Sequence, residues 1–288
     1  MFRNALIAVG LMLPALAFAN DGGGKMGFDD LLVPASKIEF YKHDENGYAK
    51  MTGSGVTVAS VKGPDGKYTN YVLTNFHVAT IAVRDAGEND DVSRRTRNAQ
   101  SLAEDEKSKV TEKSEKKHRS VWEIHDLLSV YFYVYDKDDD HIDHFDVSLG
   151  KIVEYDEQAD LALLKLSTRV KLPTAKLASA KKILRRTQRV IVAGSPDGEV
   201  PQVHEGMLTD QDKIIDGRRH LGASPNIFPG SSGGALYDEE SHELIGLTRA
   251  MSATFLGGYI PVDAIRDFLT NKAHIDIPDE GNGDTKSD

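Results

Sequence analysis

The chain has 288 residues, 45 acidic against 35 basic side chains, a formal net charge of −10, 40% hydrophobic residues and no cysteine. That length supplies a sizeable core, as one large or two small domains. The missing cysteines exclude a disulfide framework, thiolate-bound zinc, iron–sulfur clusters and a thiol nucleophile, and the acidic balance argues against nucleic acid, whose phosphates need a basic surface.

In chain order, Arg3 precedes an apolar run from Ala5 to Ala19, and Ala17-Phe18-Ala19 offers the small residues a signal peptidase needs. A signal peptide over 1–19 is expected. The run is too short to span a bilayer comfortably, so the expectation is an exported chain, periplasmic or secreted, with no stable membrane insertion after cleavage. Export without cysteine fits a bacterial-type envelope or secreted protein. An N-terminal segment, 20–36, begins with the flexible Asp21-Gly22-Gly23-Gly24.

Short alternating or β-branched runs then recur at Lys37–His43, Gly55–Lys62, Thr69–Thr74, Leu128–Tyr135, Val147–Tyr155, Leu161–Leu166, Arg189–Ala193, Leu244–Thr248 and Phe255–Ile260. Turn signals such as Gly63-Pro64-Asp65-Gly66 and Pro196-Asp197-Gly198 separate them. Many short strands punctuated by Gly, Pro and Asp predict an all-β barrel or sandwich rather than βαβ units. Residues 84–120 break the pattern, with 10 Lys/Arg and 9 Asp/Glu in 37 residues and few large apolar side chains. Such a stretch buries too little to offset its ordering entropy and is expected to be a charged surface insertion. A helix over Asp263–Leu269 would put Ile265, Phe268 and Leu269 on one face, after Pro261 stops the preceding strand. The polar tail 276–288 is expected to be disordered, with no room after residue 275 for a further folded module.

The chemistry concentrates in Phe228-Pro229-Gly230-Ser231-Ser232-Gly233-Gly234-Ala235-Leu236. A serine hydroxyl attacks only when a base takes its proton and donors hold the resulting oxyanion. Glycines around Ser232 let the backbone turn sharply, so that the amides of Gly230 and Ser232 can point at one oxygen. By itself the stretch reads equally well as a turn. Two other segments add to it. Tyr71–Ala79 is a strand ending in His77, a base with intrinsic pKa near neutrality, and Asp160 stands immediately before the apolar run Leu161–Leu166. Asp160 is suited to fix the tautomer of His77 and to stabilise its imidazolium.

Gly230-Ser231-Ser232-Gly233-Gly234 also satisfies the G-x-S-x-G pattern of α/β-hydrolases, which needs a strand before the serine, a helix after it, and Asp then His later in the chain. Pro229 precedes the motif closely, a turn over Asp238–His242 leads to a strand, and only His242 and His274 follow. Asp136, Asp138 and Asp140 alternate as in a calcium loop, but His141 replaces the required Gly and Val147 the closing Glu, so a solvated hairpin tip is expected. His141, Asp143 and His144 share that tip, and neither a metal nor any other cofactor is assigned.

Gly53-Ser54-Gly55-Val56, Leu73–Val78, Ala159–Leu166, Pro229–Leu236 and Ile245-Gly246-Leu247, in this order, resemble the trypsin-like serine peptidases of the HtrA/Deg type. The resemblance covers roughly residues 37–272 outside the insertion, within a protease domain set at 37–275. It implies two packed six-stranded β-barrels with a C-terminal helix and a site between them, the first barrel giving His77 and Asp160 and the second Ser232. It implies a serine endopeptidase acting on protein or peptide substrates and leaves the oligomeric state open, while the chain departs from the family in that no PDZ-like module is expected after the protease domain. Ser231 stands where the family commonly has Asn, a change expected to be tolerated. By position in that fold, the substrate pocket involves Asn226, Thr248, Arg249, Ala250 and Gly258, with Asn226 near its base. No Asp there attracts Arg or Lys, so small or medium apolar side chains are expected before the scissile bond. The alternative is a catalytically silent protease-fold protein that binds or holds envelope proteins.

Overall fold

The computed structural model describes residues 29–44, 47–79, 128–135, 142–251, 257–275 and 277. The expected signal peptide, the charged insertion over 84–120, the tip over 136–141 and all of the tail but residue 277 lie outside these residues.

Twelve strands among the described residues build two closed six-stranded antiparallel barrels. The first holds β1 (Ala35–Asp44), β2 (Gly47–Lys62), β3 (Tyr68–Thr74), β4 (Leu128–Tyr135), β5 (Ile142–Asp156) and β6 (Leu161–Thr168), and closes by pairing β4 with β1. The second holds β7 (Arg189–Gly194), β8 (Gln202–Ile215), β9 (Arg218–Ala223), β10 (Ala235–Asp238), β11 (Leu244–Met251) and β12 (Gly257–Pro261), and closes by pairing β10 with β7. A short helix α1 (Asp29–Leu32) precedes the barrels. After β12, helix α2 (Val262–Asp267) runs into a π-helical turn, Phe268–Lys272. The all-β double barrel with a C-terminal helix is therefore the fold expected from the sequence.

Three strands escaped the hydrophobic pattern. β8 carries Glu205, Asp210, Asp212 and Lys213 and buries only Leu208, so it never presents an apolar run. The turn that joins it to β9 was nonetheless written in the chain. Asp216-Gly217 has φ +50° and +73°, the positive pair that an Asp-Gly hairpin turn supplies. β9 follows two exposed arginines with four buried residues and β10 buries all four of its residues, so neither alternates.

The core explains the continuous apolar stretches. On β6, Ala162, Leu164 and Leu166 fill the first barrel with Ile38, Val72, Val130 and Phe132, whereas Leu161 and Leu163 face the other way and join the second barrel's core. β3 does the same with Val72 inward and Leu73 outward. Period-two alternation puts both faces of these strands in apolar surroundings, so Leu161–Leu164 reads as one unbroken run. Full burial of each such leucine stabilises by about 2 kcal/mol. These two strands bring the first barrel up to the second, and the residues that follow β3 and precede β6 end beside each other.

Candidate active site

His77 lies in the helical turn 76–79 that follows β3, with Phe76, Val78 and Ala79 buried around it and its own side chain 48% exposed. Phe76 stacks on Tyr155 of β5 at 5.2 Å, which fixes the turn against the barrel. Asp160 closes the turn before β6 with φ +58°, a left-handed conformation that Asp tolerates better than most residues. That bend is braced by Asn75, whose Nδ2 donates to the Asp160 carbonyl at 3.1 Å.

The two side chains meet. His77 Nδ1 lies 3.0 Å and 2.9 Å from Asp160 Oδ1 and Oδ2, and the His77 backbone N–H donates to Oδ1 at 2.9 Å. A carboxylate only accepts, so Nδ1 carries the proton and Nε2 keeps the lone pair. This is the tautomer a general base requires.

Ser232 sits in the loop between β9 and β10, and the orientation of that loop is tied down peptide by peptide. The Pro229 carbonyl accepts from the Asp197 N–H at 2.6 Å, and the Ser231 carbonyl from the Gly234 N–H at 2.9 Å. In a trans peptide the N–H points opposite its C=O, so the amides of Gly230 and Ser232 are turned the other way. Among the described residues neither amide donates to the protein. Two glycines make the turn possible. Gly230 has φ +88° and a Cβ there would stand 2.6 Å from the Ser195 carbonyl, while at Gly233, φ +87°, it would stand 2.1 Å from the Ser54 carbonyl.

Ser54, on β2, anchors this loop from the opposite barrel. Its N–H donates to the Ser232 carbonyl at 2.7 Å, its Oγ–H to the Gly230 carbonyl at 2.7 Å, and its Oγ accepts from the Ser195 N–H at 2.7 Å. The Gly-Ser-Gly signature was visible in the sequence, but the task of its serine was not. Ser231 is buried, with Oγ accepting from the Phe228 N–H at 3.2 Å.

The Ser232 hydroxyl makes one long hydrogen bond, 3.4 Å to the Arg249 carbonyl, and among the described residues none to His77. Nucleophile–base contacts are often loose before substrate arrives. The Arg249 side chain is directed at the His77–Asp160 pair: Nε donates to Asp160 Oδ2 at 3.1 Å and Nη2 to Asp216 Oδ2 at 2.8 Å. His220 of β9 is buried nearby, with its Nδ1 3.0 Å from the Arg218 carbonyl. Burial holds its pKa below the ordinary histidine value, and the Arg249 charge adds to that.

The remaining pocket candidates divide. Thr248 is fully buried, and its backbone holds the serine loop, its carbonyl accepting from Gly233 N–H at 2.9 Å and its N–H donating to Gly234 at 2.7 Å. Ala250 and Gly258 are register partners across β11 and β12. Asn226 is exposed, and its neighbour Ile227 is the buried one, its Cδ1 2.5 Å from where a Cβ on Gly257 would stand. Tyr259 is also buried beside Gly257. Asp143 and His144 form an exposed pair at 2.8 Å on β5.

A family model described as a trypsin-like peptidase domain matches residues 53–247. The chain is 32% identical over 129 residues to "Putative protease Do-like 14" of Arabidopsis thaliana, a match covering 42% of this chain and 30% of that protein. It is 30% identical over 130 residues to "Serine protease HTRA1" of Xenopus tropicalis, covering 42% of this chain and 27% of that one. Less than a third of each relative's length is thus matched. The solved structure of Deg5 superposes with a TM-score of 0.52 at 20% identity, over 84% of this chain and 91% of the other, a likeness of fold.

Proposed function

The chain belongs to the trypsin-like peptidase family, and from that premise we propose that it is an exported serine endopeptidase of the HtrA/Deg type. The observation that carries the reading is the His77 Nδ1 contact with Asp160, 2.9 Å, linked through Arg249 to a serine loop with two unengaged amides. Rotation of the Ser232 hydroxyl from the Arg249 carbonyl toward His77 Nε2 starts the reaction. Oγ attacks the peptide carbonyl as its proton passes to Nε2, and the amides of Gly230 and Ser232 stabilise the oxyanion. The imidazolium then protonates the leaving amine, and water, deprotonated by the same nitrogen, hydrolyses the acyl-enzyme. Asp160 orients the ring throughout.

The packing of Ile227 and Tyr259 against Gly257 supports the expected preference for small or medium apolar side chains before the cleaved bond. A cleavage profile dominated by Arg or Lys would overturn that part. The N-terminal apolar run supports export, which N-terminal sequencing of secreted material tests. In the described residues no helix is long and apolar enough to cross a membrane.

One observation favours a second reading, a catalytically silent holding protein: the Ser232 hydroxyl is engaged by Arg249 rather than by His77. A single experiment separates the two. The wild-type chain should cleave casein and be labelled by a fluorophosphonate, and Ser232→Ala should lose both. Wild-type protein that does neither, while still suppressing aggregation of an unfolded client, would establish the silent reading.

A further inference from the structure

Arg249 brings a permanent positive charge to the pair that orients the base, at a place where the proposed reaction by itself requires none. Its side chain is 19% exposed and that of Asp160 10%, so solvent screens their contact poorly. The oxygen it contacts, Asp160 Oδ2, is the one 2.9 Å from His77 Nδ1. One carboxylate oxygen therefore receives both the imidazole N–H and the guanidinium. The other arm of the guanidinium reaches Asp216, at the exposed turn between β8 and β9. Two carboxylates thus share one guanidinium through different donors, Nε and Nη2, and two negative charges against one positive leave the cluster a net negative charge for the imidazole.

Resting on the triad reading above, we infer that Arg249 is a positioning residue for hydrolysis, a two-pronged clamp that holds the Asp160 carboxylate on His77 and takes its anchorage from Asp216. The geometry needs arginine's fork. A planar guanidinium presents Nε and Nη2 as separate donors in one fixed plane, whereas a lysine would have to serve both carboxylates from a single Nζ. Without it, Asp160 Oδ2 loses the one partner that comes from the second barrel. The carboxylate is then held by His77 alone, with only a single backbone N–H to fix it apart from the ring it is meant to orient. The clamp also explains why the β8–β9 hairpin extends toward the first barrel, where Arg218 of β9 donates to Gln158 Oε1 at 3.1 Å, two residues before Asp160. The hairpin thus grips both Asp160, through Arg249, and the turn that presents it.

Casein cleavage by the full chain tests the clamp. Arg249→Gln should lower kcat about tenfold with KM within about twofold, because misplacing a catalytic group costs turnover rather than binding. Arg249→Lys, with charge but no fork, should recover only part of that loss. Asp216→Asn should lower kcat a few-fold, and the Arg249→Gln/Asp216→Asn pair should be no slower than Arg249→Gln alone, since both act through one clamp. A second readout is independent of turnover. The Nδ1 proton of His77, hydrogen-bonded to Asp160, should give a proton NMR signal downfield of the amides, sharp in the wild type and broadened in Arg249→Gln. Unchanged kcat together with an unchanged signal overturns the inference, as does a loss confined to KM, which would make Arg249 a substrate contact. If Arg249→Gln fails to fold by circular dichroism, the exposed Asp216→Asn decides on the same two readouts. If wild-type protein neither cleaves nor labels, the protease reading fails, and the Nδ1 signal still decides the clamp.

Discussion

Ser54 shows how much can depend on one hydroxyl. It donates to the Gly230 carbonyl and accepts from the Ser195 N–H, both at 2.7 Å and across the barrel boundary, while Thr74 Oγ1 donates to its carbonyl at 2.7 Å. Ser54→Ala strands two backbone groups, each costing about 1–3 kcal/mol when buried and unpaired. The expected outcome is a kcat lower by about tenfold at nearly constant KM, with fluorophosphonate labelling slowed in parallel. Labelling at the wild-type rate would show that the loop holds its shape without this serine. At the same scale, the glycines around Ser232 and the strand end before His77 marked candidates only, and it was their occurrence together with Asp160 that pointed to a triad. The partnership of Arg249 with Asp160 was not readable, because 89 residues separate them and no local pattern links them.

At the scale of elements, the segment leading from the first barrel into β7 is fastened near its middle by two cationic side chains, one in ion pairs and one on backbone carbonyls. Lys182 Nζ lies 2.5 Å from Asp238 and 2.7 Å from Glu243, which joins the inter-barrel segment to the β10–β11 hairpin. Arg266 of α2 donates to the carbonyls of Leu177 and Ala178 at 3.0 Å and 2.7 Å. Burial alone would raise the pKa values of Asp238 and Glu243, but the hydrogen bonds and charge of Lys182 outweigh it and hold both below the ordinary carboxylate values. Lowered carboxylate pKa values mean that this stabilisation is fully present above the unfolded-state values, 3.8 and 4.5, and is lost as pH falls through the folded ones. Lys182→Met should therefore cost about 2 kcal/mol at pH ~7 and distinctly less at pH ~2.5. Urea unfolding of both proteins at the two pH values checks this, and an equal cost at both would exclude the ionic explanation. Element-level reading of the sequence succeeded for the strands with alternating or β-branched runs and missed β9 and β10, which are largely buried but do not alternate. It failed for β8, whose polar outer face hides it and whose Asp216-Gly217 turn was the available signal.

For the whole molecule, the larger core cluster includes Val56, Val58, Leu73, Leu161 and Leu163 of the first barrel together with Val190, Leu221, Leu247 and Tyr259 of the second. Two barrels sharing one core should unfold together. Far-ultraviolet circular dichroism and near-ultraviolet tyrosine signals are expected to give coincident urea transitions, and Ile38→Val in the first barrel or Ile245→Val in the second should shift both signals equally by about 1 kcal/mol. Two separate transitions would mean that the shared core is too weak to couple them. The sequence by itself determined the fold class and named the candidates for the chemistry, because alternation, turn residues and short motifs are local and act within a few residues. Only the tertiary structure decided which groups act on one another. Closing the barrels turned Ser54 toward the serine loop and Arg249 toward Asp160, and it left Asn226 in solvent with Ile227 inside. Those contacts depend on how two closed sheets pack face to face, and no spacing along the chain encodes that.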